Sequence, residues 1–170
     1  KHIPMGGGLG GGSTNAATTL LALNKIWNTG LDRKTLARIG ANLGADVPIF
    51  VHGHAAWAEG IGEQLTEIQL PEPWYLIVKP DCEVATGKIF SDCRLTRDAD
   101  RITIRDFLSG DEGNDCRAVV ELRYPKVKKA LAWLATFADA KLTGTGACVF
   151  AAFDSRDSAD VVRDKLPEQW

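Results

Sequence analysis

The chain is poor in methionine (one) and tyrosine (two), and it has no hydrophobic run near the roughly 20 residues that a membrane-crossing helix needs. A helical membrane span is therefore excluded within it. It also lacks a surplus of either charge, since 20 Lys+Arg against 22 Asp+Glu leave −2. Partners such as nucleic acid or an anionic membrane call for a basic excess, so neither is expected. Its four cysteines (Cys82, Cys93, Cys116 and Cys148) stand without metal-ligand or redox spacing, so reduced thiols and a cytoplasmic placement are the expectation. His52-Gly53-His54 lacks a third ligand at useful spacing and is read as a loop or structural pair, so no metal held by side chains is expected. With 45% hydrophobic and 25% charged residues over 170 positions, the composition suits one globular domain or two small ones.

Glycine, by contrast, is concentrated. Pro4-Met5-Gly6-Gly7-Gly8-Leu9-Gly10-Gly11-Gly12-Ser13-Thr14-Asn15 runs straight into a helical pattern over 16–27, with Ala16, Leu20, Leu23 and Trp27 on one face and Gly30 as a stop. Such a loop feeding a helix start presents free N–H groups and the positive end of a dipole, the physical requirement for holding a phosphate. A Gly-rich linker is one competing reading. Dinucleotide binding is another, because Gly6-x-Gly8-x-x-Gly11 fits that pattern with Asp32 downstream, though no strand precedes it. No Gly-Lys-Ser/Thr closes the run, which excludes a Walker A loop.

Further along, Asp32 reads as the cap of a second helix with Leu36, Ile39 and Leu43 on its buried face and Gly44 at its end. Asp46 precedes an apolar run with Pro48 in a first turn, the pattern of another cap. Short strands are expected over 55–59 and 64–68 around Gly60-Ile61-Gly62, and Pro71-Glu72-Pro73 reads as the linker between two domains, 1–70 and 71–170. The continuous apolar run 74–78 predicts a buried strand. Residues 84–90 lead into a short helix, and 98–110 holds another around Ile102, Ile104, Phe107 and Leu108. Asn114-Asp115 caps a helix toward Tyr124. Past Pro125, a further helix carries Val127, Leu131 and Leu134 with Ala130 and Trp133 beside them. Leu142-Thr143-Gly144-Thr145-Gly146 is a second glycine motif before a strand over 148–153, and Ser155 caps a last helix covering 159–166.

Three of these segments together resemble one superfamily. Pro-x-Gly-x-Gly-Leu-Gly-x-x-Ser at 4–13, Leu-Gly-Ala-Asp-Val-Pro at 43–48 and Leu-Thr-Gly-Thr-Gly at 142–146 are similar, in order and spacing, to the motifs of the GHMP kinases. The resemblance covers essentially the whole chain. The runs PMGGGLGGGSTNAAT and GHAAWAEGIGE look like the branch that phosphorylates the 2-hydroxyl of 4-diphosphocytidyl-2-C-methyl-D-erythritol on the non-mevalonate route to isoprenoids.

The resemblance implies an α/β (α+β) fold of two domains, part of a ribosomal-protein-S5-like domain followed by a ferredoxin-like one. It implies ATP and Mg²⁺, with Pro4, Met5, Gly6, Gly7, Gly8, Leu9, Gly10, Gly11, Gly12, Ser13 and Thr14 around the phosphates. Asp46 becomes the catalytic base, a role compatible with a cap. Thr86 and Phe90, with Gly144, Thr145 and Gly146, become the acceptor site for the cytidine diphosphate substrate, while Gly87 departs from the expected proline. Another GHMP kinase, of homoserine or mevalonate type, or a non-catalytic nucleotide-binding relative are the alternatives. The sequence opens at Lys1, directly on the phosphate loop, and is expected to belong to a longer polypeptide. In the family an upstream segment supplies a lysine and the aromatic and histidine groups around cytosine. The 170 residues by themselves are therefore expected to be inactive.

Overall fold

A computed structural model of the chain describes residues 3–4, 6–60, 62, 64–99, 102–108 and 113–170. It forms two compact units, Gly10–Pro71 and Glu72–Trp170, the second joined by the described residues up to Leu9. The chain thus passes from one unit to the other inside the glycine run.

In the first unit, helices α1 (Gly11–Ile26), α2 (Arg33–Ala41) and α3 (Val47–His52) precede a hairpin of β1 (Ala56–Glu59) and β2 (Gln64–Glu67). Gly10 takes the left-handed conformation (φ 63°, ψ 10°), and the helix begins directly after it rather than at the expected Ala16. The core is small: Ala17, Leu36, Ala37, Val47 and Val51, with Ala16, Leu20, Leu21 and Phe50 packed against it. Trp27, placed on one face with Ala16, Leu20 and Leu23, caps the C-terminal end of α1 and is exposed. The expected inner face of α2 is rotated, since Leu36, Ala37 and Gly40 are buried while Ile39 and Leu43 are exposed. Gly40 is the cause. A Cβ there would lie 2.7 Å from Val47 Cγ1, so α3 approaches α2 where a side chain is missing. Arg33 Nη1 donates to the carbonyls of Val51 and His52 at 2.7 and 2.9 Å, satisfying the end of α3. The strands pair antiparallel from Ala56↔Glu67 to Glu59↔Gln64. Of the expected turn, Gly60 and Gly62 have positive φ, and Ile61 lies outside the described residues.

The second unit is built on β3 (Trp74–Val78), α4 (Thr86–Phe90), α5 (Ile104–Leu108), α6 (Cys116–Arg123), α7 (Pro125–Leu134), β4 (Lys141–Leu142), β5 (Val149–Phe153) and α8 (Arg156–Arg163). The three strands form an antiparallel sheet in the order β3-β5-β4, with Trp74↔Phe153 and Val78↔Val149 in register. The apolar run of β3 is not buried on both faces as expected: Leu76 and Val78 point inward, and Trp74, Tyr75 and Ile77 are exposed. Hydrophobicity alone does not report whether a second layer covers a strand. On α7, Val127, Ala130, Leu131 and Leu134 face the core at helical spacing. Pro125 opens that helix, where its missing N–H costs nothing. α8 starts at Arg156, its Ser155 oxygen accepting from the Ser158 N–H at 3.2 Å. Of the helix expected over 98–110, α5 is described, while Asp100, Arg101, Ser109 and Gly110 lie outside the described residues. Among the described residues no helix is long and apolar enough to cross a membrane.

Candidate functional site

The first half of the glycine run is held by the second glycine motif, within the second unit. The Thr143 hydroxyl is buried and lies 2.6 Å from the Gly7 carbonyl and 2.8 Å from the Cys148 carbonyl, its one proton serving both. Ala147 N–H donates to the Gly6 carbonyl at 3.2 Å, and Gly146 N–H to the Thr143 carbonyl at 2.6 Å. Close approach explains the residue types. A Cβ at Gly8 would collide with the Thr143 carbonyl and lie 2.8 Å from its hydroxyl, and one at Gly7 would lie 2.6 Å from Cys148 Sγ. Burial pushes the Cys148 thiol up, so that sulfur packs as a neutral group. All four cysteines are free. Pro4 and Leu9 are half-buried, and Met5 lies outside the described residues.

The other face of the second motif carries the expected acceptor residues. Thr86, the first residue of α4, and Thr145 share a hydrogen bond between hydroxyls at 2.8 Å. The bond joins two segments that the family resemblance assigns to one substrate. At Gly144 φ is +46° and no atom lies within 4 Å of where a Cβ would stand, whereas Gly146 is buried under Leu142 and Val84. Phe90 ends α4 at 56% exposure, so it is not a core residue. Asn114 adds a role that its local sequence does not announce. As half of an Asn-Asp pair it reads as a cap, and its Oδ1 does accept from Cys116 N–H at 3.0 Å. Its Nδ2 also donates to the carbonyls of Leu142 (3.2 Å) and Gly144 (2.8 Å), fixing the second glycine motif. A local Asn-Asp pattern signals the cap and carries no trace of a bond that crosses about thirty residues.

In the first unit, the second half of the run is the opening turn of α1. Among the described residues no side chain caps it, and the turn itself carries no acidic residue, so its N–H groups and the positive end of its dipole are left without a local carboxylate. Gly12 is exposed, and a Cβ on it would meet nothing within 4 Å. Thr14 Oγ1 donates to the Gly10 carbonyl at 3.0 Å. Ser13 is thus the freer hydroxyl of the expected pair. α3 lies against this end of α1: a Cβ on Gly10 would come 2.6 Å from the Phe50 ring, and Val47 and Val51 share the core with Ala17. Asp46 is the residue before α3, and here the structure corrects the sequence reading of a cap. Its backbone is already helical (φ −83°, ψ −10°), its side chain makes no capping bond, and it is exposed. Val47 N–H bonds the Gly44 carbonyl instead, and Pro48 has no N–H to offer. Among the described residues no group of three or more His, Cys, Asp or Glu side chains gathers to hold a metal.

Known proteins share these segments. The model of the GHMP kinases N terminal domain matches residues 1–54, and that of the GHMP kinases C terminal domain matches residues 96–170. The chain is 56% identical over 168 residues to the 4-diphosphocytidyl-2-C-methyl-D-erythritol kinase of Pseudomonas paraeruginosa, covering 99% of this chain and 60% of that protein. Against the enzyme of the same name from Methylococcus capsulatus identity is also 56%, covering 100% of this chain and 59% of the relative. The chain therefore spans about three fifths of the length of the curated relatives it matches. A crystal structure of a 4-(cytidine 5'-diphospho)-2C-methyl-D-erythritol kinase superposes with a TM-score of 0.79 at 28% identity, covering 97% of this chain and 64% of that one. Between them the two family models span the α1 and Asp46 segments and the second glycine motif, and the chain belongs to the GHMP kinase family.

Proposed function

We propose that this protein transfers the γ-phosphate of ATP to the 2-hydroxyl of 4-diphosphocytidyl-2-C-methyl-D-erythritol, in the cytoplasm, with residues 1–70 and 71–170 belonging to its two kinase domains. The observation that carries the nucleotide part is Gly12. Glycine inside a helix costs about 1 kcal/mol relative to alanine. Neither a positive φ nor a close protein neighbour calls for it here. An anion lying on the helix start supplies the missing reason, since a side chain would keep it off the N–H groups.

In this reading residues 4–14 bind the nucleotide. The N–H groups of the first turn of α1 hold phosphate oxygens and take up the charge that builds on them during transfer. Asp46, exposed and free of capping duty, accepts or orients the proton of the attacking hydroxyl. Thr86 and Thr145 fix the acceptor's polar edge, Phe90 stacks on its pyrimidine, and Gly144 lets the backbone come close, while Gly146, packed under Leu142 and Val84, shapes the turn that presents them. The oxygen chemistry available suits Mg²⁺: its ligands would be mainly the phosphates, with the Ser13 or Thr14 hydroxyl able to join them. Bound there, the ion would neutralise phosphate charge.

Phosphoryl transfer from labelled ATP, measured in the full-length protein with the cytidine acceptor, homoserine and mevalonate side by side, tests the proposal. Turnover confined to the cytidine acceptor is expected. Turnover with another acceptor, or nucleotide binding without turnover, would replace it.

A further inference from the structure

We propose that Asp92 is a positioning residue for the acceptor, its carboxylate locking the turn after α4 so that the Phe90 ring is held where the acceptor's base docks. The proposal rests on the reading of Phe90 as the stacking residue given above.

α4 is held by one fully buried side chain, Ile89, and by the Thr86–Thr145 bond at its start. It is short, and no side chain caps its start. Gly87 lies within it, with no atom within 4 Å of a Cβ position, in a helix too short to be stable by itself. Phe90 is exposed and, among the described residues, has no core contact of its own to fix it, so its backbone is held from the turn at the C-terminal end of α4.

That turn holds a buried ionic clamp. The Asp92 side chain is 1% exposed. Its Oδ1 accepts from the Arg94 backbone N–H and from Arg94 Nε, each at 2.9 Å, and its Oδ2 accepts from Arg94 Nη2 at 2.8 Å. Oδ2 also accepts from Arg123 Nε at 2.5 Å. Arg123 is the last residue of α6, whose Val119 and Val120 are in the core, so this bond ties the turn to the body of the unit. Arg97 completes the arrangement: its Nη2 donates to the Phe90 carbonyl at 2.5 Å and to the Asp92 carbonyl at 3.2 Å, while Nη1 donates to the Leu95 carbonyl at 3.1 Å. The backbone of Phe90 is thus gripped directly, and the residue two positions on is anchored through α6. Hydrogen bonding by Arg94 and then Arg123 holds the Asp92 carboxyl far below the usual carboxylate range, so the clamp remains charged at any working pH. Taking a carboxylate out of water is costly, and a use that exposed ion pairs do not serve is fixed geometry.

The test is steady-state kinetics in the full-length protein, with acceptor and ATP varied separately. Asp92→Asn keeps the shape but turns an amide toward guanidinium donors. The acceptor KM should rise about tenfold, with the ATP KM and kcat changing by less than about twofold. Phe90→Ala should raise the acceptor KM alone, and adding Asp92→Asn to it should change nothing further. Arg123→Gln, at an arginine 41% exposed, cuts only the tie to α6 and should shift the acceptor KM in the same direction. It decides the matter if Asp92→Asn does not fold. A fall in kcat with both KM values unchanged would reduce the clamp to a structural element and overturn the proposal, as would full additivity of the double variant. An acceptor KM raised by Phe90→Ala but not by either clamp variant would sink the clamp's role alone. An acceptor KM untouched by Phe90→Ala would remove the stacking reading and this inference with it.

Discussion

Two helices of the first unit begin on an aspartate, and the two aspartates have different work. Asp32 caps: its Oδ1 accepts the Thr35 N–H at 2.7 Å, and hydrogen bonding by Thr35 holds its carboxyl below the usual range. Asp46 occupies the corresponding position before α3 and caps nothing. The next residues in each helix explain the difference. Arg-Lys-Thr after Asp32 leaves a donor in reach of an extended residue, whereas Val-Pro after Asp46 places a proline at the second helical position and the turn closes through Gly44. The glycine run divides in the same way, between Gly8, which the fold requires, and Gly12, which it does not. A polar or flexible residue employed by the fold is explained by the fold. One left idle at an exposed helix start points to a ligand.

The contrast can be broken first at Asp46. Asn preserves its shape but cannot take a proton, so Asp46→Asn in the full-length protein should lower kcat by on the order of a hundredfold or more, with ATP affinity and melting temperature unchanged. Near-normal turnover would return Asp46 to a structural role. At Gly8, alanine drives a methyl group into the Thr143 carbonyl at a backbone φ of +68°, and a chemical denaturation curve should report a loss of about 1–3 kcal/mol. An unchanged midpoint would mean that the loop does not lie on Thr143. Asp32→Ala removes the cap and should lower the melting temperature by a few degrees while kcat per folded molecule stays the same. Asp32→Asn, which keeps the cap but not the charge, gives the smallest effect. A depressed folded-state pKa stabilises above the unfolded value and loses that stabilisation as pH falls, so wild type and Asp32→Asn should converge in stability below about pH 4. Curves that stay parallel into acid would show that the charge contributes nothing.

Much of this was legible in the sequence because it is local. Caps at Asp32 and Ser155 depend on a donor three residues away, and Gly60 and Gly62 mark the hairpin by their own backbone. The glycine motifs and the segment around Asp46 declared the family through residue type and order. What was not legible depends on neighbours distant in sequence. Ile39 and Leu43 fit the helical period as well as Leu36 does, but the face that packs was decided by the gap at Gly40. The β3 run is apolar throughout and buried on one side. Asn114 and Asp92 hold the acceptor segments by bonds to residues far along the chain, which no pattern around either residue announces.

Gly12 offers the sharpest test of the phosphate site. Alanine there fits the helix, touches no protein atom and should raise stability by up to about 1 kcal/mol, yet it sets a methyl group on the surface where phosphate should lie. Calorimetric titration of ATP into wild type and Gly12→Ala, each also melted without ligand, separates the two effects. The prediction is a melting temperature equal to or above wild type together with ATP binding weakened about tenfold or more. ATP binding as tight as wild type in a protein so stabilised would contradict the claim that the start of α1 is a phosphate site.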